Sequence, residues 1–131
     1  MLIDTSGWFS IFDSREIQHQ NAIALYESAN RLVTHSYIIA EFVALSEARK
    51  KHRGEMLLFL STLLLDSEIR VIWVDERLTN DAVQLLKNRV DKTWSLCDAV
   101  SFVLMKSERI TEALTTDHHF EQAGFAKLLE S

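Results

Sequence analysis

Ile69 to Asp75 reads "IRVIWVD", and the reading of this stretch decides the fold. It is β-branched and aromatic over its length, the composition of a buried strand. Directly after it the apolar period changes. Leu78, Ala82, Leu85 and Leu86 fall at i, i+4, i+7 and i+8, one face of a helix, and Asp75 stands where that helix can be capped. A buried strand feeding an amphipathic helix is the building block of a parallel sheet covered by helices.

The same alternation extends in both directions. On the N-terminal side, "MLID" reads as a short strand ending at Asp4, followed by a helical turn or two from Gly7 to Asp13 and a helix from Glu16 to Asn30. "RLVTH" is a second strand, Ser36 is a good N-cap for a helix to about Lys51, and Gly54 marks the break before an apolar helix from Glu55 to Asp66. On the C-terminal side, Ser95 opens a helix to about Ser107, "EALTT" reads as a fourth strand, His118 to Gln122 as a helical turn and "FAKLL" as a fifth strand. The expectation is an α/β domain with a mostly parallel sheet covered on both faces, binding its ligand beyond the carboxyl ends of the strands.

The chain has 131 residues, the size of one domain, and we expect a single unit over residues 1–131. With 47% hydrophobic and 25% charged residues it has ordinary globular usage. The apolar run "MLLFLSTLLL", Met56 to Leu65, is about half the roughly 20 residues needed to cross a bilayer, so it reads as a core helix. "MLID" is not a basic region leading into a long apolar stretch, and no secretory signal is expected. Cys97 is the single cysteine, so no intramolecular disulfide can form; this fits a reducing compartment, with cytoplasm the default.

Four acids stand alone in apolar surroundings. Asp4 is the only charged residue between Met1 and Phe12, Glu41 between Ser36 and Ser46, and Asp98 between Trp94 and Met105, while Asp117 follows the apolar run that ends the fourth strand. An isolated ionised carboxylate in a core is costly, so each needs a reason. Asp4 and Asp117 lie at carboxyl ends of expected strands, and Glu41 and Asp98 near helix starts that can face the same end. Clustered carboxylates repel unless a cation intervenes, and an all-oxygen cluster suits Mg²⁺ or Mn²⁺, the ions of metal-assisted phosphodiester hydrolysis.

Plainer roles compete with that one. Ser95 and Asp98 in "SLCD" can form a capping box, and Asp4 and Asp117 can cap the turns that follow them. A capping role fails for Glu41, five residues past Ser36. The adjacent His118 and His119 would point about 100° apart on a helix, poor spacing for shared ligation, and are assigned solvent-facing or packing roles.

Other chemistries lack their parts. Three separated glycines cannot build G-x-G-x-x-G or a P-loop, there is no G-x-S-x-G elbow, and Cys97 sits in an apolar helix with no nearby basic group. The net charge of −5 argues against plain electrostatic binding of nucleic acid, unless the acids gather around metal ions that themselves attract phosphate. The basic run "ARKKHR", Ala48 to Arg53, is either a solvated helix end or an edge where Arg49, Lys50 and Arg53 contact phosphate; Arg89, Lys92, Lys106 and Arg109 are weaker choices for that job.

Taken in order, these motifs resemble the PIN-domain nucleases, and within them the VapC-like toxin branch, over essentially the full chain. "MLIDTSGWFSIFD" resembles the family's opening motif with Asp4 as first acid, "THSYIIAEFVAL" the second with Glu41, "SLCDAVSFVLM" the third with Asp98, and "ALTTDHHFEQAGF" the fourth with Asp117 and the hydroxyl of Thr115 two residues before it. The resemblance implies a parallel sheet in the order 3-2-1-4-5, metal-dependent cleavage of RNA, frequent dimerisation and, in the toxin branch, inhibition by a cognate antitoxin. On this reading the chain is a Mg²⁺- or Mn²⁺-dependent endoribonuclease of a toxin-antitoxin pair. Asp4, Glu41, Asp98 and Asp117 hold the metal, and Ser6 and Thr115 orient the carboxylates. The alternatives are a stand-alone nuclease of RNA processing and a non-catalytic module that binds a cation or a basic partner.

Overall fold

The computed structural model describes residues 1–130, so the expected span of 1–131 ends one residue beyond the described residues. In chain order the elements are β1 (Leu2–Ile3), α1 (Thr5–Phe12), α2 (His19–Ser28), β2 (Leu32–His35), α3 (Ser36–Ala48), α4 (Arg53–Leu65), β3 (Ile69–Ile72), α5 (Glu76–Asn88), α6 (Leu96–Ser107), β4 (Glu112–Leu114), α7 (His119–Gln122) and β5 (Ala126–Lys127). The five strands form one sheet in the order β3-β2-β1-β4-β5, and every pairing is parallel. This is the order that the resemblance implies.

All six residues of β1 and β2 are buried, and because successive side chains point to opposite faces, both faces of the central sheet are covered. Leu2, Ile3, Val33, Ala113 and Leu114 from the strands pack with Trp8, Phe42, Met56, Met105 and Phe120 from the helices. A smaller cluster of Ala82, Ala99 and Val100 joins α5 to α6, with Leu78, Leu85 and Leu86 around it.

The opening stretch differs from expectation in one respect. Among the described residues β3 is the end strand, paired only with β2; only Ile69 is fully buried, Arg70 is exposed, and Trp73 just past the strand is exposed as well. Composition identified the strand; its place at an edge is set by topology. Similarly, "MLLFLSTLLL" buries only Met56 and Leu63 fully, and Leu58 and Leu65 are exposed, because α4 covers the sheet with one side only.

Capping follows the same division. Asp75 caps α5, its Oδ1 accepting from the Leu78 N–H at 2.8 Å. α3 is capped instead by His35, whose Nδ1 accepts from the Ile38 N–H at 3.3 Å, while the Ser36 hydroxyl accepts from the Val74 N–H at 2.9 Å and ties the helix start to the chain leaving β3. The His35 Nε2–H donates to the Ser101 hydroxyl at 2.8 Å, and burial pushes the pKa of this imidazole down to about 3, so it stays neutral. Gly54 lies inside the first turn of α4, which His52 caps, rather than before the helix.

The sheet order also contains a switch point. From β1 the chain builds outward to β2 and β3, then returns to the other side of β1 to lay down β4 and β5. The carboxyl ends of β1 and β4 therefore flank the crevice where such sheets bind ligands. Register aligns Ile3 with Leu114, so Asp4 and Thr115 follow side by side. Gly7 makes this close approach feasible: a Cβ there would stand 2.1 Å from the Leu114 carbonyl oxygen.

Candidate active site

Asp4 is 6% exposed and lies at the mouth of the switch point, in the N-cap position of α1, where its side chain makes no capping bond. The Thr115 hydroxyl donates to Asp4 Oδ2 at 2.9 Å and accepts from the Asp117 N–H at 3.0 Å, linking the first and fourth acids. Ser6 Oγ lies 3.1 Å from Thr115 Oγ1 and accepts from the Thr116 N–H at 3.0 Å. The fold thus brings Ser6 and Thr115 together beside Asp4, although they are 109 residues apart in the chain.

Asp98 is buried on α6 and forms the expected capping box: the Ser95 hydroxyl accepts from the Asp98 N–H at 3.0 Å, and Asp98 Oδ2 accepts from the Ser95 N–H at 3.1 Å. The cap and the acid cluster are not exclusive. The box fixes the helix start and thereby aims the carboxylate at the site. Asp117 is partly buried, and its Oδ1 accepts from the His119 N–H at 2.9 Å, folding the chain back at the start of α7.

Glu41 departs from expectation because it is exposed. Ile38 and Phe42 point α3 into the core and Ala44 faces solvent, so the apolar neighbours of Glu41 in sequence do not enclose it. Its charge nevertheless reaches Asp4 and the Cys97 thiol.

The electrostatics are those of carboxylates forced together. Burial, with the charges of Asp98 and Glu41, raises the Asp4 pKa to about 7, although the Thr5 N–H and Thr115 hydroxyl offset part of the rise. Burial also raises Asp98, with Asp117 adding to the effect and hydrogen bonding at Ser95 opposing it. The Cys97 thiol is pushed up by burial and by Glu41, Asp4 and Asp98, which makes it a poor nucleophile. Oxygen donors at this density, two of them buried and held ionised only at a cost, fit a hard divalent cation better than any other group.

His119 is the residue that sequence reasoning placed elsewhere. Its Nδ1 lies 3.2 Å from both Asp98 Oδ2 and Asp117 Oδ1, whereas His118 is largely exposed. Asp117, His118 and His119 each offer a ligand atom within 4.8 Å of the others. The available signal was a histidine two residues after a strand-end acid, where a turn closed by the acid brings the ring back over the site.

The basic run is mostly engaged within the protein. Arg49 pairs with Glu16 at 3.0 Å and lies 4.5 Å over the Phe9 ring, Lys51 pairs with Asp13, and Arg53 pairs with Glu47. Lys50, with φ 55°, ends the helix in the left-handed region. Eight residues separate Glu41 from Arg49, about 12 Å along the helix, so the run stands back from the acids.

A parallel sheet that gathers acids from four distant segments at its switch point defines a class of acidic-centred domains. The PIN domain model matches residues 1–126, and the chain belongs to this family. It is 27% identical over 129 residues to the 23S rRNA-specific endonuclease VapC20 of Mycobacterium tuberculosis, covering 98% of this chain and 97% of the relative. It is 24% identical over 115 residues to the VapC ribonuclease of Archaeoglobus fulgidus, covering 83% of this chain and 72% of that one. The crystal structure of M. tuberculosis VapC20, described as a sarcin-ricin loop cleaving toxin, superposes with a TM-score of 0.86 at 26% identity, covering 96% of each chain.

Proposed function

We propose that this chain, as a single domain, is a Mg²⁺- or Mn²⁺-dependent endoribonuclease and the toxin of a toxin-antitoxin pair. The observation that carries the reading is the convergence of Asp4, Asp98 and Asp117, with Glu41 in electrostatic reach, at the switch point. A bound divalent cation activates water and neutralises phosphate charge. Asp4 and Asp98 would hold it, with Asp117 and Glu41 binding directly or through water. Thr115 fixes the orientation of Asp4 Oδ2 by its hydrogen bond, and Ser6 buttresses Thr115. A carboxylate at the rim can accept a proton from the attacking water.

The names of the relatives support RNA as substrate, with the sarcin-ricin loop of 23S rRNA the first to try. They also support a cognate antitoxin. A homodimer in the cytoplasm accords with the resemblance and with the single cysteine; no helix among the described residues is long and apolar enough to cross a membrane. The test is cleavage of ribosomal RNA by purified protein with Mg²⁺, Mn²⁺ or chelator, alongside Asp4→Asn and Asp98→Asn. Cleavage should require the metal and be lost in both variants. Metal-dependent cleavage surviving both substitutions would refute the site, and failure on every RNA would favour the non-catalytic binding module.

A further inference from the structure

We propose that His119 is a nitrogen ligand of the metal centre, filling through Nδ1 the position between Asp98 and Asp117 and tilting the centre toward Mn²⁺ over Mg²⁺. This rests on the metal-dependent reading above. One ring nitrogen and two carboxylate oxygens converge here. Nδ1 is 3.2 Å from Asp98 Oδ2 and 3.2 Å from Asp117 Oδ1, yet it is buried and makes no hydrogen bond. An imidazole N–H serving the carboxylates would align with one of them.

On the other side of the ring, Nε2 lies 3.5 Å from the Thr93 hydroxyl. The hydroxyl can accept a proton carried on Nε2, and in that tautomer the Nδ1 lone pair faces the two carboxylates. A lone pair against two carboxylate oxygens is repulsive unless a cation lies among them. Donors at adjacent corners of an octahedron with bonds of roughly 2.1 Å stand about 3.0 Å apart, close to the spacing observed. The Asp117 turn, closed by the His119 N–H, holds the ring in place.

An imidazole among carboxylates changes metal preference. Mg²⁺ favours oxygen donors, whereas Mn²⁺ lies on the series of transition ions that gain from nitrogen. The test uses the whole protein loaded with Mn²⁺ and reads electron spin-echo modulation from directly coordinated nitrogen, with calorimetric titration of Mn²⁺ and Mg²⁺. Nitrogen coupling should be present in the wild type and in His118→Ala and absent in His119→Ala and His119→Gln. Loss of the ligand should weaken Mn²⁺ binding by about tenfold or more, the scale seen even for outer-shell partners, with a much smaller effect on Mg²⁺. Mn²⁺ binding without nitrogen coupling, or coupling that disappears with His118 rather than His119, would overturn the assignment and leave the metal-dependent nuclease intact. An absence of Mn²⁺ and Mg²⁺ binding would remove both.

Discussion

Asp4→Asn should stabilise the metal-free protein at neutral and alkaline pH while abolishing cleavage. Burial and the neighbouring acids raise the Asp4 pKa from 3.8 to about 7. Between those values the folded state binds more protons than the unfolded state, so stability falls as pH rises through this window, and the full cost is present above about pH 7. A rise from 3.8 to about 7 corresponds to about 4 kcal/mol. Asparagine is nearly isosteric, and its carbonyl can accept the Thr115 hydrogen bond, but its NH₂ group needs a partner that the carboxylate did not, which offsets part of the gain. A net stabilisation of about 1–3 kcal/mol is expected at about pH 8, a rise in Tm of roughly 3–10 °C for a domain of this size. The assay is thermal unfolding by circular dichroism in chelator from about pH 5 to about pH 8. The gap between variant and wild type should widen by roughly 2–3 kcal/mol over that range and then level off. A gap independent of pH, or an Asn variant less stable than wild type at every pH, would refute the argument that clustered burial sets the Asp4 charge.

Three further outcomes follow from the same geometry. Thr115→Val removes the hydroxyl from a fully buried position between Asp4 and the Asp117 N–H; it should cost about 1–3 kcal/mol in chemical denaturation and about 10- to 100-fold in cleavage rate. Gly7→Ala places a methyl 2.1 Å from the Leu114 carbonyl oxygen, so α1 must move off β4; a loss of roughly 3 kcal/mol or more is expected by the same denaturation assay, against about 1 kcal/mol for Gly124→Asn, where space is open and the φ of 94° alone strains the side chain. Cys97, its thiol pushed up by burial and nearby acids, should react with a thiol reagent at about pH 8 on the order of a hundredfold more slowly in the native than in the unfolded protein, followed by absorbance.

Much of this molecule is visible in its sequence because the deciding forces are local. The change of period at Asp75, its cap on α5 and the Ser95–Asp98 capping box are set by residues within a few positions of one another, and the structure reproduces each. The solitary acids were conspicuous for a related reason, since an unexplained charge in an apolar stretch is a local anomaly. Where expectation and structure part, a distant partner decides. Ser36 gives up its cap to bind Val74, β3 becomes an edge because only β2 pairs with it, and α4 leaves Leu58 and Leu65 in solvent.

The sequence by itself therefore determined the alternation of strands and helices and the caps at Asp75 and Ser95, and it singled out the four acids as candidates, since period and local capping are read within one turn or strand. Tertiary structure alone decided that Asp4 meets Thr115 across 111 residues, that Glu41 stays exposed, and that His119 faces Asp98 and Asp117. Those facts depend on strand register and on the return of the chain past β1, and side-chain charges interact through space, without regard to their separation along the chain.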